Sequence, residues 1–240
     1  MPGLTHRLDR YLNQTLGLPR SAVRALLAQR RIVVDGQVAN AVNQPVDQFA
    51  RVAVDGEALP CATPVYLKLH KQAGVLSATR DAVHTTVIDL LEHPARDTLH
   101  LVGRLDRASS GLVLLTNDGR WSRALMAPDA AVEKVYEVRV RDWLTKEMVD
   151  AFAAGMHFAC EDIITRPARL DILDDTLARV TLVEGRYHQI KRMFGRFRNP
   201  VLALHRVRIG VVTLPADLAE GRSCALDTEE LRDSGAFWLT

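Results

Sequence analysis

Residues 103–119 read Gly103-Arg104-Leu105-Asp106-Arg107-Ala108-Ser109-Ser110-Gly111-Leu112-Val113-Leu114-Leu115-Thr116-Asn117-Asp118-Gly119. A polar loop closed by small residues runs directly into an apolar strand, and the strand ends at an Asn-Asp-Gly turn. Within the loop an acid stands between two arginines. A carboxylate flanked by fixed positive charge stays ionised at neutral pH, the state a nucleophile or base needs. A plain loop salt bridge is the competing reading. The triplet Arg-Leu-Asp is weak by itself, because it recurs at Arg7-Leu8-Asp9, where it reads as the start of a helix.

Outward from this stretch, residues 65–69, 111–115, 135–140, 168–173, 178–183 and 207–214 favour β structure, and residues 86–91, 120–126, 146–154 and 188–197 favour helix. Strands do not alternate with helices of crossover length, which disfavours a doubly wound parallel sheet. An α+β domain on a mainly antiparallel mixed sheet fits better. Before it, residues 8–16 read as a helix ending at Gly17, and a second helix begins near Pro19 and Ser21 with Val23, Leu26 and Leu27 at helical spacing. Asp35-Gly36 and Asp55-Gly56 then sit between short β-prone runs, a strong hairpin signal. The expected division is a small α-α-β domain over residues 1–60, a linker over 61–65 marked by Pro60, Thr63 and Pro64, and a larger domain over 66–240.

The 240 residues are 48% hydrophobic and 25% charged, enough for a sizeable core. No apolar run precedes the first charges and no stretch is long enough to span a membrane, so a cytoplasmic protein without membrane contact is expected. Cys61, Cys160 and Cys224 are far apart and odd in number, which signals neither a disulfide framework nor a metal site. Net charge is +2, yet residues 1–31 carry +5 and leave −3 on the remainder. Residues 185–208 hold seven Lys and Arg and no acid. Two basic patches on an otherwise acidic chain suit a phosphate-rich ligand, against the alternative of two solvated faces.

Two further segments could carry chemistry. Glu184-Gly185-Arg186-Tyr187-His188-Gln189-Ile190-Lys191-Arg192-Met193-Phe194 is a turn followed by a basic helix start, which reads either as an anion cradle or as an ordinary surface helix. Glu133-Lys134-Val135-Tyr136 opens a strand, where a tyrosine is usually a packing residue.

Taken together, the three segments resemble the RsuA family of bacterial pseudouridine synthases, which modify ribosomal RNA and carry an N-terminal S4-type RNA-binding domain. The resemblance rests on Gly103-Arg104-Leu105-Asp106 with Ser109, Gly111 and residues 116–119, on Glu133-Lys134-Val135-Tyr136, and on residues 185–194. Supporting matches are Trp121-Ser122, Thr165-Arg166-Pro167-Ala168, His205-Arg206 with Ile209-Gly210, Arg7-Leu8-Asp9 and Val34-Asp35-Gly36. Ser109 stands where the family commonly has Thr, and His70-Lys71-Gln72-Ala73-Gly74 where it often reads Asn-Lys-Pro-x-Gly.

The resemblance implies that Asp106 is the catalytic aspartate, Tyr136 the aromatic that stacks on the target base, and Lys191 the basic partner of the aspartate. Arg104 resembles the arginine that fills the space left by the extruded base. Arg186, His188, Gln189 and Arg192 of the third segment and Arg206 are assigned to RNA binding. So are Arg20 and Arg24, which share one face of the second helix at about 100° per residue. Breaking the glycosidic bond, turning the uracil and joining its C5 to the ribose needs a carboxylate and no external cofactor or metal. The base must leave its stack, which an aromatic surface can receive. Tyr187 to Phe194 resemble the small-subunit enzyme, so 16S rRNA, free or in a partly assembled small subunit, is the expected partner of a monomeric protein. The alternatives are a 23S rRNA uridine and a non-catalytic S4-type ribosome-associated factor. A glycoside hydrolase would need a second poised carboxylate.

Overall fold

The structure is a computed structural model that describes residues 6–235. Residues 1–5, the start of the stretch read for a leader, and residues 236–240, the end of the expected larger domain, lie outside the described residues. The chain divides into two compact units, one running to Pro64 and including Asp118–Arg120, the other made of Val65–Asn117 and the chain from Trp121 onward.

In the first unit, β1 (His6–Arg7) leads into α1 (Leu8–Leu16), which stops where Gly17 turns left-handed at φ 69° and its N–H returns to Asn13 O. Pro19 presets the entry to α2 (Arg20–Ala28). The β part comprises β2 (Ile32–Val34), β3 (Gln37–Val38), β4 (Pro45–Val46), β5 (Val52–Val54) and β6 (Glu57–Ala58). β2 pairs with β3 and β5, β5 with β6, and β1 with β4. At both Asp-Gly turns the Asp and the Gly have positive φ, the primed geometry that matches strand twist. Leu8, Leu12, Val23 and Ile32 are fully buried and join Val34, Val46 and Val52 in one core. Each such side chain contributes about 1.5–3 kcal/mol on leaving water. Residues 61–64 belong to no helix or strand.

The second unit is built on β7 (Tyr66–Lys71), β8 (His100–Val102), β9 (Ser110–Thr116), β10 (Lys134–Val140), the short pair β11 (His157–Phe158) and β12 (Ile163–Ile164), β13 (Arg169–Asp174), β14 (Leu177–Leu182), β15 (Val201–Ile209), β16 (Val212–Thr213) and β17 (Ser223–Ala225). Its main sheet runs β13-β14-β10-β15-β9-β7-β17, with β16 added to β15 and β8 to β9. Pairing is antiparallel except between β15 and β9, where Arg206 lies opposite Gly111 in a parallel match. Around the sheet are α3 (Gly119–Met126), α4 (Lys146–Ala154), α5 (Gln189–Gly195) and α6 (Thr228–Asp233). α4 and α5 bury Met148, Phe152, Met193 and Phe194 in the larger core, and Trp121 and Leu125 of α3 join a second core with Tyr66, Leu112 and Leu114. Among the described residues no helix is long and apolar enough to cross a membrane.

Two expectations are corrected. Residues 86–91 form turns, not a helix: Thr86 pairs with Leu76 in a bridge and both its N–H and hydroxyl donate to Asp89. The run is short and β-branched at Thr86, Val87 and Ile88, so it lacks both the length and the side-chain freedom to propagate a helix. Residues 207–214 are not one strand but the end of β15, a turn at Gly210 with φ 56°, and β16. β8 and β17 were not foreseen.

Gly111 permits the parallel match. Its φ is 108°, and a Cβ there would fall 2.3 Å from the Arg206 carbonyl oxygen. Gly111→Ala is expected to lower the unfolding free energy by about 3 kcal/mol or more, since strain and a backbone clash combine. Urea denaturation measures this; a loss under about 1 kcal/mol would mean β9 and β15 separate easily.

Candidate active site

Asp106 lies in the loop between β8 and β9, and its carboxylate is met from α5. Lys191 Nζ donates to Asp106 Oδ2 at 2.7 Å, and His188 Nε2 stands 3.4 Å from the same oxygen. The flanking Arg104 and Arg107 do not make this pairing: Arg104 is exposed at the rim, and Arg107 Nε donates to Gly74 O. Lys191 is aimed because Ile190, Met193 and Phe194 on the other side of α5 are buried, with Phe194 packed on Phe152 at 4.9 Å between ring centroids. Tyr136 of β10, a residue 8% exposed, lines the same pocket with Asp106 and Lys191.

The loop itself is held from beneath by two buried cations. Lys71, fully buried at the end of β7, donates to the carbonyls of Ser109 at 2.6 Å, Gln72 at 3.0 Å and Arg107 at 3.3 Å. Arg206 is 3% exposed and donates to Leu112 O at 2.8 Å and Arg104 O at 3.3 Å. Ser77 Oγ adds a bond to Leu105 O and accepts from Leu105 N–H. Charge-assisted bonds of this kind are roughly twice as strong as neutral ones, so the loop has little freedom. Burial pushes the Lys71 ammonium down to about 8, with the Asp106 carboxylate opposing that shift and Arg206 adding to it.

The expected RNA-binding residues are dispersed among different jobs. Arg186 Nε pairs with Glu184 at 2.9 Å, and Gln189, buried, donates to the same carboxylate at 2.6 Å while accepting from Arg186 N–H. Arg192 turns away from the pocket, forks onto Glu161 at 2.6 and 2.7 Å and covers the Phe158 ring. Arg206 presents its guanidinium to backbone carbonyls, 5.9 Å from the Tyr136 ring centroid, and not to solvent. In the first unit Arg20 meets Asp9 at 3.2 Å, and Arg24 is exposed. Among the described residues no cluster of three or more His, Cys, Asp or Glu could hold a metal ion.

The chain as a whole has counterparts among known proteins. The family model for RNA pseudouridylate synthase matches residues 65–195, and that for the S4 domain matches residues 6–52. The chain belongs to the RNA pseudouridylate synthase family. It is 47% identical over 226 residues to a protein of Pseudomonas aeruginosa and 38% identical over 226 residues to one of Escherichia coli K12, both named ribosomal small subunit pseudouridine synthase A. Each alignment covers 94% of this chain and 98% of the relative. A crystal structure of a pseudouridylate synthase superposes with a TM-score of 0.70 at 34% identity, covering 96% of this chain and all of that one. The family drawn from the three sequence segments and the α+β class are both borne out.

The sequence reading gave no role in the site to Lys71 or Glu184 and did not single out Ser77. Lys71 left a trace, since it lies in the run His70-Lys71-Gln72-Ala73-Gly74 that stands where the family often reads Asn-Lys-Pro-x-Gly; Ser77 left none.

Lys71→Met should strand the loop carbonyls and cost about 2–4 kcal/mol of stability. Below pH 8 the folded and unfolded chains both hold the proton. Between about 8 and 10.5 the unfolded chain binds more, so this group's contribution to stability rises with pH. The stability difference between wild type and Lys71→Met, measured by urea denaturation, should therefore widen from pH 8 to 10; a constant difference would contradict the assignment.

Proposed function

We propose that this chain isomerises a uridine of small-subunit ribosomal RNA to pseudouridine, with Asp106 as nucleophile, Lys191 as its counter-charge and Tyr136 as the surface under the flipped base. The observation that carries the reading is the 2.7 Å bond from Lys191 to Asp106 Oδ2 beside Tyr136, which leaves Oδ1 for attack. The relatives named for the ribosomal small subunit favour 16S rRNA over a large-subunit uridine.

In this scheme the carboxylate forms a reversible bond to the substrate and the glycosidic bond breaks. The uracil turns over Tyr136, its C5 joins C1′ of the ribose as the bond from C1′ to the carboxylate breaks, and C5 then loses its hydrogen as a proton while N1 takes one up. Fixed dipoles and charges around Asp106 need no reorganisation as charge moves. Flipping the base out of its stack gives the ring access to Tyr136. The reading has the first unit capturing RNA through its phosphates, with Arg24 and Arg20 at the interface, and Arg104 and Arg186 at the pocket rim. It places the protein in the cytoplasm, acting as one chain on free RNA or on a partly assembled subunit.

Mapping of pseudouridine in 16S rRNA from cells with and without the protein tests the reaction. One site should disappear in its absence, return with wild type, and fail to return with Asp106→Asn; restoration by Asp106→Asn would mean another nucleophile. For the first unit, each arginine withdrawn from a phosphate should flatten the salt dependence of affinity by a slope of about 0.7–0.9. Arg20→Ala with Arg24→Ala should weaken RNA binding and flatten that slope with little change in the rate at saturation. Unchanged affinity and slope would assign these arginines to the helix surface and Asp9.

A further inference from the structure

The turn that leads into α5 presents an aromatic ring just outside the catalytic pocket. Gln189 N–H donates to Arg186 O at 3.1 Å, which closes a four-residue turn with Tyr187 and His188 at its centre. His188 takes a left-handed conformation there, at φ 50° and ψ 31°. The third place of such a turn favours Gly or Asn, so a histidine carries a steric cost. The conformation brings two neighbouring side chains together: the rings of Tyr187 and His188 stack with centroids 3.9 Å apart and planes 18° apart.

His188 lines the pocket with Asp106 and Tyr136, its Nε2 3.4 Å from Asp106 Oδ2. Tyr187 lies outside that lining and is 75% exposed. The stack therefore begins at the pocket wall and ends in solvent, with one face of the tyrosine ring against imidazole and the other open. The turn beneath it is clamped. Glu184 accepts from Arg186 Nε at 2.9 Å, from Gln189 Nε2 at 2.6 Å and from Arg166 N–H at 3.0 Å. Gln189 Oε1 accepts from Arg186 N–H at 3.1 Å, and both Gln189 and Ile190 are buried. A ring held in place before binding loses little freedom when a partner stacks on it.

An open aromatic face beside a nucleotide pocket suits a nucleobase, since unstacked bases of single-stranded RNA are received on aromatic side chains. Extruding the target uridine also deprives the next base of its stacking partner. One protein ring can replace what was lost. Arg104, exposed at the pocket rim, supplies positive charge for the phosphates that accompany such a base. Resting on the pseudouridine reading, we propose that Tyr187, backed by His188, is the stacking platform for the base of a nucleotide adjacent to the target uridine. The substrate is then a uridine with an unpaired neighbour, whatever that neighbour's identity, because every base has a π-face.

The test uses full-length protein and a fragment of unmodified 16S rRNA spanning the uridine that the cellular mapping identifies. Tyr187→Ala should raise KM about 5- to 150-fold, with kcat within about threefold of wild type. Tyr187→Phe keeps the ring and should stay within about twofold of wild type in both constants. The salt dependence of affinity should keep its wild-type slope in Tyr187→Ala, since no phosphate contact is lost. An abasic site on one side of the uridine, 5′ or 3′, should cost the wild type the same factor and cost Tyr187→Ala nothing further. A wild-type KM in Tyr187→Ala, an equal loss in Tyr187→Phe, a flattened salt slope, or losses from Tyr187→Ala and from each abasic site that simply multiply would overturn the proposal. A wild type that binds the fragment yet forms no pseudouridine would overturn the reading of the reaction and the proposal with it; failure of the platform alone would leave a wild type that converts uridine.

Discussion

Two cations buried beneath one loop set the geometry of this protein. Lys71 and Arg206 have no carboxylate within ion-pair distance among the described residues, and both donate to carbonyls of the chain that carries Asp106. A charge withdrawn from water without an acid partner costs several kcal/mol unless hydrogen bonds satisfy it. Any loop conformation that pulls Arg104, Arg107, Ser109 or Leu112 carbonyls away would strand those charges. Asp106 is held by this demand, with the Lys191 ammonium 2.7 Å from its Oδ2.

The sheet supplies the rest. β7 brings Lys71, β15 brings Arg206 and β10 brings Tyr136, and the parallel match of β15 to β9 puts Arg206 opposite Gly111, just where the loop becomes strand. A side chain at 111 would force those two strands apart. The close backbone approach therefore links the packing of the sheet to the position of the nucleophile.

Local signals in the sequence were legible, because their causes are local. Gly17, Pro19 and the two Asp-Gly pairs act through backbone preferences within a few residues, and the elements they predict are present. The pairing of Asp106 with Lys191 came from family resemblance, since 85 residues separate them. Arginine roles were the least legible. In the basic segment Arg186 meets Glu184, Arg192 meets Glu161, Arg208 meets Glu133, and Arg206 is buried, so far less charge faces outward than the residue count suggests. An arginine carries the same charge in the sequence whether its partner is a phosphate, an acid or a carbonyl, and only the fold selects among them.

The central claim is that Asp106 is the group that bonds to the substrate. Rapid acid quenching of the enzyme with 16S rRNA during a single turnover tests it directly, because the bond to the carboxylate lasts only until C5 displaces it from the ribose. Mass spectrometry of the complex after protease and nuclease digestion under acidic conditions should find the nucleotide on the peptide containing Asp106. Its appearance on another residue, in a protein that converts ordinary uridine, would contradict the account.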